Sequence, residues 1–171
     1  MAQNMPEGKL DARYSGADTP ATKWAQAVSI LQEAEVFWIT TVRPDGRPHV
    51  TPILAVWWEG AVHFCTGVDE RKNKNLQSNL HCVLTTGCNS FGEGLDLVVE
   101  GEAVQLSEDG VLNRLADAYA VKYGSGWRFD VHDGLFHNEG GPAMVYRVVP
   151  VTVFAFSKGR FGQTRWRFDQ G

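Results

Sequence analysis

Between Thr66 and Leu76 the chain reads Thr-Gly-Val-Asp-Glu-Arg-Lys-Asn-Lys-Asn-Leu. A strand end runs into a helix start there, and free backbone N–H groups with the helix dipole favour an anion at such a point. Arg71 and Lys72 fall in the first helical turn, and Lys74 follows. Cations in a first turn oppose the dipole, so an anion beside them relieves the conflict. A phosphate is one such anion. A solvated basic helix face accounts for the same residues, and local physics leaves both readings open.

Two further stretches carry groups suited to a planar ligand. In His49-Val50-Thr51-Pro52-Ile53, alternation puts His49, Thr51 and Ile53 on one face of a strand, opposite Val50, Pro52 and Leu54. A polar pair on a strand face lines a groove or simply meets solvent. Pro52 places this strand at an edge or a bulge, where a missing N–H is tolerated. In Gln163-Thr164-Arg165-Trp166-Arg167-Phe168, Thr164, Trp166 and Phe168 share one face and the arginines the other. An aromatic beside guanidinium groups can stack on a ring or pair with phosphate. The alternative is a terminal strand that packs its tryptophan into the core or a subunit interface. His132 and His137 lack a third ligand at a metal-site spacing, and no metal is expected. No nucleophile-elbow or phosphate-loop motif is present, and no catalytic side chain is assigned.

The elements that would position these residues follow from hydrophobic patterning. Residues 1–18 are polar, without apolar period, and read as a flexible N-terminal arm; residues 19–171 form one domain. Thr19-Pro20 marks a helix start, and Trp24, Ala27, Val28, Leu31 and Ala34 make its buried stripe over about residues 20–34. Residues 36–42, 48–57 and 61–66 are three strands joined by short turns at 43–47 and 58–60, an antiparallel meander. Asp69 is the expected cap of a short helix over residues 70–78. Strands at 81–87 and 95–106 follow, then a helix capped by Ser107 that buries Val111, Leu112, Leu115 and Tyr119 and ends at Gly124. Residues 124–142 read as a long loop. Residues 143–149 and 151–156 are two strands, or one strand bent at Pro150, and 163–168 is the last strand. The pattern predicts an α+β, mainly β domain built on an antiparallel barrel with a few flanking helices.

Composition narrows the function classes. The 171 residues carry 16 basic and 20 acidic side chains, a net charge of −4, so a nucleic-acid partner is not expected. An anionic ligand must then be held by a local basic cluster. The cysteines, Cys65, Cys82 and Cys88, match no zinc or redox spacing and read as buried or incidental thiols of a reducing compartment. There is no signal-peptide layout and no apolar run long enough to span a membrane, so the expected location is cytoplasmic.

Taken in order, the strand before Arg43, then Arg-Pro-Asp-Gly-Arg-Pro-His-Val-Thr-Pro at 43–52, then Thr66 followed by Arg71-Lys72-Asn73-Lys74-Asn75-Leu76, resembles the pyridoxamine 5'-phosphate oxidase-like family over roughly residues 20–168. The resemblance implies an FMN-binding-type split β-barrel and a homodimer with cofactor sites at the interface. It implies FMN as cofactor, with the deazaflavin F-420 or haem as alternatives. It also implies phosphate contacts from Arg71, Lys72 and Thr66, with Asn75 on the same helix. The ring would lie along His49, Val50, Thr51, Pro52 and Ile53, and the partner subunit would add its Trp166 and its Arg167. The implied activity is hydride transfer to or from a small-molecule substrate by an FMN- or F-420-dependent oxidoreductase. The alternatives are non-catalytic cofactor or haem storage on the same fold, or an interaction domain. Residues 165–168 do not match the substrate-binding motif of the vitamin B6 oxidases.

Overall fold

Alternation decides the first long strand. Phe37, Ile39 and Thr41 are buried while Trp38 is exposed, so residues 37–42 present one face to a core and one outward. The computed structural model describes residues 6–169. In chain order these form β1 (Lys9–Leu10), α1 (Trp24–Glu33), β2 (Phe37–Val42), β3 (Pro48–Ile53), β4 (Ala55–Trp58), β5 (Ala61–Gly67) and α2 (Arg71–Leu76). There follow β6 (His81–Thr86), β7 (Leu95–Leu106), α3 (Asp109–Tyr123), β8 (Asp130–His132), β9 (Leu135–Asn138), β10 (Gly141–Ser157) and β11 (Gly162–Arg167).

The strands pair antiparallel in the order β1-β11-β10-β7-β6-β2-β3, with β4 on β5, β5 on β10, and the β8–β9 hairpin on the start of β10. The sheet curls but does not close. β3 and β4 are neighbours in the chain, yet β3 pairs with β2 and β4 pairs with β5. This is an antiparallel split barrel with flanking helices, the expected fold class.

β10 organises the barrel. Its first half pairs with β5 through Val148, and its second half pairs with β11 from Thr152. Pro150 lies at the switch, beside a register shift between Pro150 and Thr152, where a missing N–H is least disruptive. Opposite it, Gly101 admits the bend, since a Cβ there would fall 2.5 Å from the Val149 carbonyl oxygen. Of the two alternatives, one strand bent at Pro150 is therefore the one that forms.

Two apolar layers result. The barrel interior holds Phe37, Ile39, Phe64, Leu84, Leu97, Val153 and Trp166, and Trp24 of α1 packs edge-on against Trp166 and Trp57. Outside the barrel, Leu112, Leu115, Ala116 and Tyr119 of α3 cover Val56, Phe136 and Val145. The buried Tyr119 hydroxyl donates to the Leu54 or His63 carbonyl oxygen, at 3.2 Å from each. The cysteines are free, and burial pushes the thiols of Cys65 and Cys82 up to about 12.

Several expected boundaries shift. Helix α1 begins at Trp24 rather than near Pro20, because the Thr22 N–H donates to Thr164 Oγ1 at 2.9 Å and holds the preceding residues against β11. Part of the polar N-terminal arm, Lys9–Leu10, pairs with β11. The strand expected over 48–57 is two strands that serve opposite sides of the split. Glu70 and Glu108, not Asp69 and Ser107, occupy the cap positions of α2 and α3, and neither makes a side-chain capping bond. The expected loop at 124–142 contains the β8–β9 hairpin, whose two-residue turn at Asp133 and Gly134 takes φ of 55° and 70°.

His63 is 1% exposed, lies against Trp58, and leaves Nδ1 without a partner. Burial, then the charge of Arg147, pushes its pKa from 6.5 down to about 4. Between those values the unfolded chain binds the proton and the folded chain does not, so stability falls as pH drops through this window and is fully present above it. At roughly 1.4 kcal/mol per pH unit the loss is ~3 kcal/mol. Urea unfolding from pH 7 to pH 4 should show this slope, and His63→Leu should flatten it.

Candidate cofactor site

The split leaves a seam, and α2 lies across it. Its six residues supply little apolar anchoring beyond Leu76, so polar groups hold it. Asn75 Nδ2 donates to Thr41 Oγ1 of β2 at 2.9 Å, and the Tyr146 hydroxyl of β10 donates to Asn73 Oδ1 at 2.7 Å. Asn73 Nδ2 in turn donates to the Val68 carbonyl at 2.7 Å. Asn73, Asn75 and Thr41 are fully buried, and a hydrogen bond between buried groups is expensive to leave unmade. These contacts tie α2 to both sides of the barrel and so fix its basic residues.

Lys72 is buried and ion-paired with Glu70, whose Oε1 also accepts the Gly67 N–H at 2.8 Å. Burial alone would raise the Glu70 carboxyl, but hydrogen bonds from Lys72, Gly67 and Thr66 outweigh it and hold the group below the usual range. Arg71 is exposed and Arg43 half-buried, and neither forms an ion pair among the described residues. Lys74 and Arg47 are instead paired, with Asp69 and Asp45.

The basic residues of α2 reach β3. The His49 imidazole is pushed below its ordinary value, first by burial and then by the charges of Arg43, Lys72 and Arg71. It is therefore a neutral ring with one donor and one acceptor at neutral pH. His49 Nδ1 and Thr51 Oγ1 are buried without partners, as is Asn75 Oδ1. Such atoms on a basic, curled edge fit a ligand with an anionic end and a polar planar part. β3 is also the last strand of its sheet path, so one rank of its backbone N–H and C=O groups has no strand partner.

The expected site residues divide clearly. His49, Thr51 and Ile53 face inward together, while Val50 and Pro52 are exposed on the opposite face, so only their backbone is open to the same ligand. Thr66 is buried beside Glu70, and Arg71, Lys72 and Asn75 sit on α2 as expected. Trp166 is fully buried against Trp24 in the core, and its Nε1 has no hydrogen-bond partner. Arg167 is exposed at the end of β11. Four residues escaped the sequence reading. Arg43 looked like a turn residue and Glu70 like the first residue of a short helix, while Asn73 and Tyr146 gave no local signal.

A groove of about 540 Å³ at the end of α1 is lined by Ile30, Ala34, Val36 and Leu95, with Glu33 and Glu35 beside them and no lysine or arginine. Among the described residues, no group of three or more histidines, cysteines and carboxylates could hold a metal ion. No helix there is long and apolar enough to cross a membrane.

Comparison with known proteins bears on the same residues. No curated protein matches the chain. A conserved hypothetical protein, Rv2991 of Mycobacterium tuberculosis, superposes with a TM-score of 0.66 at 16% identity, over 84% of this chain and 89% of that one. An FAD-binding protein of Mycobacterium smegmatis gives 0.55 at 17% identity, over 86% and 98%. The haem-storage protein HutZ of Vibrio cholerae gives 0.58 at 16% identity, over 74% and 89%. At such identities these likenesses establish the fold, which here is shared by flavin-binding and haem-storing proteins. The family model for pyridoxamine 5'-phosphate oxidase matches residues 24–155, a span that includes α2, β3 and the seam between them, and the chain belongs to that family.

Proposed function

We propose that the chain binds a flavin-type cofactor, FMN before the deazaflavin F-420, and works as an oxidoreductase on a small molecule. The observation that carries this reading is the convergence of two arginines without ion-pair partners, Arg71 on α2 and Arg43 just after β2, with buried polar atoms of β3 and α2 that lack partners. Arg71 and Arg43 would take the phosphate, Arg in a bidentate contact, with Lys72 behind them. Thr51, neutral His49 and the open backbone of β3 would meet the polar edge of the ring, with Ile53 against its apolar part. Bound flavin or deazaflavin would supply hydride transfer, while the protein orients the ring and keeps water from it.

A second reading is storage or sensing of a cofactor, including haem. It is favoured by His49, a half-buried imidazole kept neutral, the protonation state in which a histidine ligates iron. Turnover separates the two readings. A store holds its ligand and leaves a reduced nicotinamide unoxidised.

We also propose a homodimer whose interface covers the outer face of β2 and β3. Trp38 is 49% exposed and Val50 53% exposed there, with Pro52 opposite Trp38 in register. Exposed apolar residues grouped on one face suit a second copy. In such a dimer Arg167 of the partner subunit would complete the site. The free cysteines accord with a cytoplasmic, reducing setting.

Two measurements test these proposals. The wild-type protein should retain FMN through gel filtration, and Arg71→Ala with Lys72→Ala should lose it; unchanged affinity in the double variant contradicts the phosphate assignment. Trp38→Glu should convert the sedimenting species from dimer to monomer, and a wild type already monomeric contradicts the interface.

A further inference from the structure

We propose that Glu70 is a resident counter-anion of this site, one that a ligand phosphate must displace and that thereby sets the affinity for phosphorylated cofactors. The inference rests on the reading that Arg71 and Lys72 receive the phosphate.

The two partners of the Glu70–Lys72 pair are unequally placed. The Lys72 side chain is 9% exposed and cannot leave, whereas the Glu70 side chain is 50% exposed and can turn to solvent. Glu70 is held by its Oε1, which accepts from Gly67, and by its Oε2, which accepts from Lys72. Gly67 makes room for this arrangement, since a Cβ there would fall 3.2 Å from Glu70 Oε1. The carboxylate therefore caps the Lys72 ammonium, and a ligand anion that pairs with Lys72 takes the place of Glu70 Oε2. A phosphate dianion brought against Arg71 meets this negative charge one residue away. Repulsion at that range is partly screened by solvent, yet it is not negligible beside a buried pair. Arg43 and Arg71, which have no carboxylate partner, receive the anion first. Lys72 joins them when Glu70 swings out.

The consequence is selectivity by charge. A doubly charged terminal phosphate is penalised by Glu70, and an uncharged side chain at the same place is not. Glu70→Gln removes the charge while its amide oxygen still accepts the Gly67 N–H. Glu70→Ser also removes the charge, gives up the Gly67 contact, and puts a residue well suited to a helix cap in its place; it serves if the first variant is unstable.

The test is flavin fluorescence titration of wild type, both variants and the Arg71→Ala/Lys72→Ala protein, with FMN and with riboflavin, which lacks the phosphate. FMN should bind both Glu70 variants about tenfold more tightly than wild type, a difference near 1.4 kcal/mol, with riboflavin affinity unchanged. Equal or weaker FMN binding by the Glu70 variants, with the double variant still impaired, overturns the role of Glu70 and leaves the phosphate site standing. FMN and riboflavin binding alike to wild type and to the double variant, or no flavin binding to any protein, overturns both.

Discussion

The hydrogen bonds that fasten α2 across the seam are the constraint on which the rest of the site depends. A barrel that fails to close exposes strand edges, and an exposed edge invites unwanted pairing. Here the seam is spanned by a helix too short to anchor itself by apolar burial. Asn75 reaches β2 through Thr41, and Tyr146 of β10 reaches Asn73, so the helix is held from both sides. Those buried amides do two things at once. They satisfy polar groups that would otherwise be stranded, and they hold Lys72 and Arg71 near His49. The arrangement places a compact basic cluster on a chain whose net charge is −4.

The fold was legible where one physical rule dominated. Period-2 alternation at residues 37–42 and helical spacing around Leu112, Leu115 and Tyr119 place those elements closely. It was less legible where tertiary contacts set the boundary. The run from Pro48 to Trp57 has continuous strand character, and nothing local at Leu54 announces that its two halves pair with different partners. Asp133-Gly134 is a strong two-residue hairpin signal, but the glycines and histidines around it disguise strands of three and four residues. Lys9–Leu10 becomes a strand only because β11 offers an edge.

The candidate site shows the same division. Arg71, Lys72 and Asn75 were visible as a basic helix start, and His49 and Thr51 as one strand face. Tyr146 sits in a valine-rich strand and Asn73 between two lysines, so their pairing across 73 positions exists only in the folded chain. Trp166 shows the converse. Its alternation with arginines suggested a ligand contact, while the adjacent Trp24 and Phe168 make it part of the core. Family membership does not choose among the chemistries this fold supports, because function resides in the site. What argues for a phosphorylated planar cofactor here is the chain's own pattern of unpaired cations and unpartnered buried atoms.

A crystal structure of the protein grown with FMN tests the account most directly. Flavin phosphate is expected within hydrogen-bond reach of Arg71 and Arg43, and the ring edge against Thr51, His49 and the open backbone of β3. Flavin bound elsewhere, or a β3–α2 seam that stays empty at saturating FMN, would contradict it.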